Sequence, residues 1–214
     1  MIRETKSMKE SLELPITLRI PNIDEVPANS GVSERLEKRK TANIVEGYIL
    51  NQKDNNPDHS DLGFNFYAEI NINNSNLWNL IVSLSKEMPE TIAVIFGHEG
   101  SELNYGKYSN KEETLSFLSK YSKEIITDTF IEIGLIFHSE NELIEIFVSE
   151  SKYIKFWGVN EESFTQIMNN FNLKQIDNIE FVDEYPKVRE ALRLFDETAI
   201  ETNDLIKMFE KEFI

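Results

Sequence analysis

The sequence predicts an α+β fold built on a mostly antiparallel sheet, and three features carry that expectation. Apolar residues alternate with period two in several short runs, and stripes with i, i+3, i+4, i+7 spacing mark helices. In addition, three strand-like runs follow one another without an intervening helix between residues 130 and 157. A chain of 214 residues with 40% hydrophobic and 11% aromatic content suffices for one substantial core. A single α+β domain is expected over residues 44–214, preceded by an N-terminal arm over 1–43.

The arm opens with a predicted edge strand at 14–20. Leu14, Ile16, Leu18 and Ile20 share one side of it, and Pro15 cannot donate to a ladder. The loop PNIDEVPANSG at 21–31 follows, marked by Pro21, Pro27 and Gly31, and it is the expected first site of proteolysis. SERLEKRK then reads as a short exposed helix. Strands at 44–51 and 63–72 are expected to pair as a hairpin. In the second of them Phe64, Phe66, Ala68, Ile70 and Ile72 point inward and Asn65, Tyr67, Glu69 and Asn71 outward.

A helix is predicted from Asn76 to Met88, with Ser75 as its cap, Leu77, Leu80, Ile81, Leu84 and Met88 as its stripe, and Pro89 as its stop. TIAVIFG at 91–97 is apolar without alternation, as suits a strand buried on both faces. Asn110 and Glu113 stand at capping-box spacing before a helix expected over 111–126, with Leu115, Leu118 and Ile125 inside. The strands 130–138, 142–149 and 153–157 and a helix capped by Asn160 make a βββα unit over 130–172. A short strand at 178–183 and two C-terminal helices complete the reading, the first helix carrying Val188, Leu192 and Phe195 and the second Ile206, Phe209 and Phe213.

The meander of three strands can be registered. Keeping Ile131, Ile133, Leu135 and Phe137 on the face of Ile144, Ile146 and Val148 sets Ile136 opposite Glu145 and Gly134 opposite Phe147, so that the Phe147 ring lies over bare backbone. The second turn is expected to set Glu145 against Lys155, Phe147 against Tyr153 and Leu143 against Trp157. The second face thus mixes Leu143, Phe147, Tyr153 and Trp157 with Glu145 and Lys155, and it is either a partner surface or a face covered by the C-terminal helices.

Charge narrows the choice of partner. The net charge is −16, and residues 90–214 hold 25 of the 38 acids but only 12 of the 22 bases. Such a field repels nucleic acid and anionic membrane and attracts a basic protein. The absence of cysteine excludes disulfides, thiolate metal sites and cysteine nucleophiles. No apolar run is long enough to span a bilayer, and the opening MIRETKSMKE has no apolar core of an export signal, so a cytoplasmic location is expected.

No GxGxxG, Walker loop, GxSxG or HExxH occurs. Asp54, Asn56 and Asp58 begin like a calcium loop, but His59 stands where glycine is needed and Asn65 where a bidentate glutamate is needed. His98, Glu99 and Glu102 at a strand end are the nearest approach to a general-base or metal cluster, with His59 and His138 in separate segments. No catalytic residue, metal or cofactor is expected.

The stretch IEIGLIFHSENELIEIFVSESKYIKFWG and the helix after it resemble the closing segment of immunity proteins from bacterial polymorphic toxin systems. The resemblance covers residues 130–172 and carries over no functional residue, because these families share no catalytic motif. It implies a small acidic α+β protein that neutralises one cognate toxin domain by direct contact. The toxin domain would be basic, with a nuclease among the candidates. The partner surface expected from the residues is Glu140, Glu142, Glu145, Glu150, Tyr153 and Trp157, which combines acids with aromatic anchors. The alternatives are a small enzyme or ligand-binding protein with a pocket near His98, and an adaptor in a larger bacterial complex.

Overall fold

The computed structural model describes residues 12–26, 31–54 and 63–214. Its centre is a sheet in the order β2-β3-β9-β8-β7-β4-β5, with every pairing antiparallel, so the α+β class and antiparallel character stand. The strands are β2 (Gly47–Gln52), β3 (Phe66–Asn71), β4 (Thr91–His98), β5 (Asn104–Tyr105), β7 (Ile131–His138), β8 (Leu143–Val148) and β9 (Ile154–Gly158). A short β6 (Ser109–Asn110) also pairs with β4. The remaining pair, β1 (Leu18–Arg19) with β10 (Val188–Arg189), is a separate two-stranded ladder.

The helices are α1 (Val32–Arg39), α2 (Leu77–Leu84), α3 (Lys111–Ser119), α4 (Ser122–Thr127), α5 (Glu161–Asn170) and α6 (Thr202–Phe213). The last five meet one face of the sheet. Leu77, Leu80 and Leu84 of α2, Leu118 of α3, Ile125 of α4, Phe164 and Met168 of α5 and Leu205 and Phe209 of α6 share a core with Phe66, Ile70, Val94, Phe96, Ile133, Ile146 and Phe156. Aromatic contacts knit this layer: Phe156 stacks on Phe164 at 5.2 Å, and Phe96 meets Phe209 edge-on at 5.7 Å. β4 is buried along nearly its whole length, as its unbroken apolar run requires.

Several elements depart from expectation for identifiable reasons. The expected strand at 14–20 survives only as Leu18–Arg19, because Leu18 N–H donates to Pro15 C=O at 2.9 Å and the turn rolls Ile16 out to 60% exposure while Thr17 becomes fully buried. Helix 111–126 breaks between α3 and α4, where Tyr121 N–H closes on Leu118 C=O. Ser75 does not cap α2: its hydroxyl donates to Glu13, and Leu77 is entered through a 3₁₀ turn at Asn74–Asn76. By contrast, Asn110 accepts from Glu113 N–H and Asn160 from Ser163 N–H, both at 3.1 Å, as capping requires.

The C-terminal third holds the larger corrections. Residues 178–183 join no strand, and 188–195 form β10 and a 3₁₀ turn at Leu192–Leu194 instead of a helix, so α6 is the one C-terminal α-helix. The competing demand is pairing with the N-terminal segment: Glu190 N–H donates to Thr17 C=O at 2.9 Å, and Leu18, Ile44 and Val182 share a small core. The expected protease site lies partly outside the described residues, as do Asn56, Asp58 and His59 of the calcium-like loop.

Candidate partner-binding surface

With five helices on one face, the opposite face of the sheet has only its ends covered among the described residues. One cover is a coil over 174–187. It starts at the β2 edge, where Tyr48 N–H donates to Lys174 C=O at 3.0 Å and Ile176 N–H to Tyr48 C=O at 2.8 Å. Gly47 permits this approach: it holds φ 150°, and a Cβ there would lie 2.8 Å from both Ile176 and the Lys174 carbonyl. Beyond this edge, Ile176 and Ile179 pack toward Ile49 and Tyr153, and Phe181 meets the Tyr153 ring at 4.8 Å. At the β4 edge, Leu103 closes over Gly97.

Between these covers the register builds a row straight across the sheet. Asn51 pairs Tyr67, Tyr67 pairs Trp157, Trp157 pairs Glu145, Glu145 pairs Ile136, and Ile136 pairs Ala93. Leu143 and Phe147 flank Glu145 along β8 on the same side, as period two dictates. Tyr67, Ile136, Leu143, Phe147 and Trp157 are all half-buried, and none belongs to any of the apolar clusters. The Tyr67 and Trp157 rings meet at 4.8 Å, tilted by 42°, and Phe147 lies over Gly134, where a Cβ would come within 3.1 Å of its ring.

Glu145 stands in the middle of this patch. Among the described residues it makes no hydrogen bond or ion pair, and removal from water alone pushes its carboxyl up to about 7. The other acids of the face are better placed. Glu69 is directly opposite Lys155, and the rise of Glu132, caused by burial and by the charges of Glu150 and Glu99, is partly offset by Lys152 and Lys155. Lys155 sets its ammonium 5.5 Å from the Tyr153 ring centre.

The six expected surface residues therefore separate. Glu145 and Trp157 lie side by side on the open face. Glu140 and Glu142 sit at the rim, in the β7–β8 turn, where Ser139 hydroxyl accepts from Glu142 N–H at 3.1 Å. Tyr153, at 6% exposure, is sealed beneath Phe181, and Glu150 is paired with Lys187 at 2.7 Å. The cause is the second turn, whose register is displaced by two residues: Glu145 meets Trp157, and Phe147 meets Lys155. A three-residue loop, 150–152, makes this register. Lys152 N–H donates to Ser149 C=O, and Lys152 itself adopts the left-handed φ of 62° usually taken by glycine. Tyr67 and Ile136 complete the patch. Tyr67 reads as outward in the sequence, but nothing local announces that β3 lies beside β9.

The loop end of the sheet is bound into a polar cluster. Lys152 is fully buried, donates to Ile131 C=O at 2.9 Å, and has its ammonium pulled down to about 8 by burial despite nearby Asp128, Glu150 and Glu132. Lys187 bridges Glu150 and Asp183, and Arg189 pairs with Glu99 at 2.8 Å. His98 faces this end with its Nδ1 3.0 Å from Glu99 C=O and its ring 5.9 Å from Phe130. His98 lines neither of two cavities of 380 and 370 Å³ found among the described residues. No three His, Asp or Glu side chains converge as metal ligands among the described residues, and no helix there is long and apolar enough to cross a membrane. No family model, curated protein or solved structure matches the chain.

Proposed function

We propose that the chain is an acidic cytoplasmic inhibitor that binds one toxin domain through the open sheet face and blocks it by contact, in the manner of the immunity proteins resembled at 130–172. The observation that carries this reading is the patch of Tyr67, Trp157, Ile136, Leu143 and Phe147 around Glu145, which pairs with none of the described residues, on a face that no helix covers among them. Large aromatic side chains beside a desolvated carboxylate are the ingredients of a binding hot spot, and a rim of carboxylates such as Glu140 and Glu142 steers a basic partner. The net charge of −16 extends that attraction over the molecule.

The test is genetic and direct. The toxin encoded beside this gene, expressed in a bacterial host, should arrest growth, and co-expression of this chain should restore it. Trp157→Ala, shown to be folded by circular dichroism, should lose that protection. Growth arrest that the chain does not relieve, or a neighbourhood with no toxin gene, removes the reading.

A further inference from the structure

Resting on that reading of the open face, we infer that Glu145 and Trp157 together receive a single arginine side chain from the partner, its guanidinium forked on the carboxylate and its plane against the indole. Geometry supplies the site: Glu145 and Trp157 are direct cross-strand neighbours, Tyr67 backs the indole at 4.8 Å, and Ile136 walls the other side of the carboxylate. Directly opposed strand residues hold their Cβ atoms about 5 Å apart, a separation that a planar cation can bridge.

Charge decides the occupant. Glu69 is opposite Lys155 and Glu132 feels the charges of Lys152 and Lys155, whereas among the described residues no cation acts on Glu145. A desolvated lone carboxylate in an aromatic surround is completed by a cation that sheds water easily. Arginine meets that demand better than lysine, because its guanidinium is weakly hydrated, stacks on aromatic faces and forks on a carboxylate. A second copy of this chain is the poorer occupant: a two-fold interface through this face would bring Glu145, Glu69 and Glu132 of one copy toward their equivalents, between molecules each carrying −16.

The experiment uses the intact chain and the peptides acetyl-Gly-Arg-Gly-amide and its citrulline counterpart, the neutral isostere, followed by NMR. The arginine peptide should give saturable shifts at the Trp157 indole N–H and the Glu145 carboxyl carbon. Replacing arginine by citrulline, or Glu145 by Gln, should weaken binding about tenfold or more. Equal binding of the two peptides, unchanged binding to Glu145→Gln, or shifts scattered over the acidic surface would overturn the site. A lysine peptide bound as tightly as the arginine one overturns the preference for guanidinium. The toxin assay separates this inference from its basis. Protection lost in Trp157→Ala but intact in Glu145→Gln leaves the face as the binding surface and removes the arginine site. A chain that protects against no toxin removes the immunity reading, while the peptide titration still decides the site.

Discussion

Glu145 and Lys152 are ionisable groups removed from water on opposite terms, and each leaves a mark on stability. The Glu145 carboxyl is held near 7 against an ordinary value of 4.5, so between those pH values the folded chain keeps a proton that the unfolded chain has lost. Its contribution is therefore present at low pH and lost as pH rises through that window. Glu145→Gln should stabilise the protein at pH 8 by about 1–2 kcal/mol after solvent screening, and by almost nothing at pH 4, as urea denaturation would measure. A variant no more stable at pH 8 would mean that the carboxylate has a partner after all. Lys152 titrates near 8 instead of 10.5. Between those values the unfolded chain binds the extra proton, so stability should rise with pH there, and the rise should vanish in Lys152→Met.

Caps separate the helices that local sequence specifies from those that packing specifies. Asn110→Ala and Asn160→Ala each delete an observed bond to a helix N–H and should cost about 1 kcal/mol by chemical denaturation, whereas Ser75→Ala, which removes only an exposed bond to Glu13, should cost under about 0.5. An equal loss at Ser75 would restore it as a cap. The same division explains what the sequence discloses. The antiparallel class, the hairpin of β2 with β3, the register of β7 on β8 and the two asparagine caps all follow from alternation and spacing between neighbours in the chain. The second meander turn does not, because Lys152 occupies a left-handed position that glycine normally signals. Nor does the fate of 178–195: Ile179 and Phe181 alternate like a strand, but they cover Tyr153 instead of joining a ladder. Of the site, Glu145 and Trp157 are legible as members of one face. Their adjacency, the burial of Tyr153 and the pairing of Glu150 with Lys187 depend on contacts remote in sequence.

Charge acts over longer distances than any of these contacts. On the proposed reading, the excess of acids in residues 90–214 steers a basic protein toward the molecule before contact is made. With the partner in hand, raising salt from about 50 to about 500 mM should slow association several-fold and leave dissociation nearly unchanged. Reversal of Glu140 and Glu142 to Lys should weaken that salt dependence, and Trp157→Ala should chiefly speed dissociation, both read by stopped-flow or surface binding kinetics. Salt-independent association would show that the acids serve solubility alone.

The small ladder of β1 with β10 joins parts of the chain 171 residues apart, as in the Arg19–Glu190 contact. Such a junction is expected to form late, because closing so long a loop is favourable only once the intervening sheet exists. Leu18→Ala should cost about 2–3 kcal/mol, expressed as faster unfolding with refolding little changed, and slowed refolding would place this ladder in the folding nucleus. On the ribosome the delay has a clock. At about 5–20 residues per second, the N-terminal segment waits roughly 10–30 s for its mate to be synthesised. During that interval Leu18, buried once the ladder is closed, has no partner strand, so the N-terminal segment stays open to a chaperone until β10 has emerged.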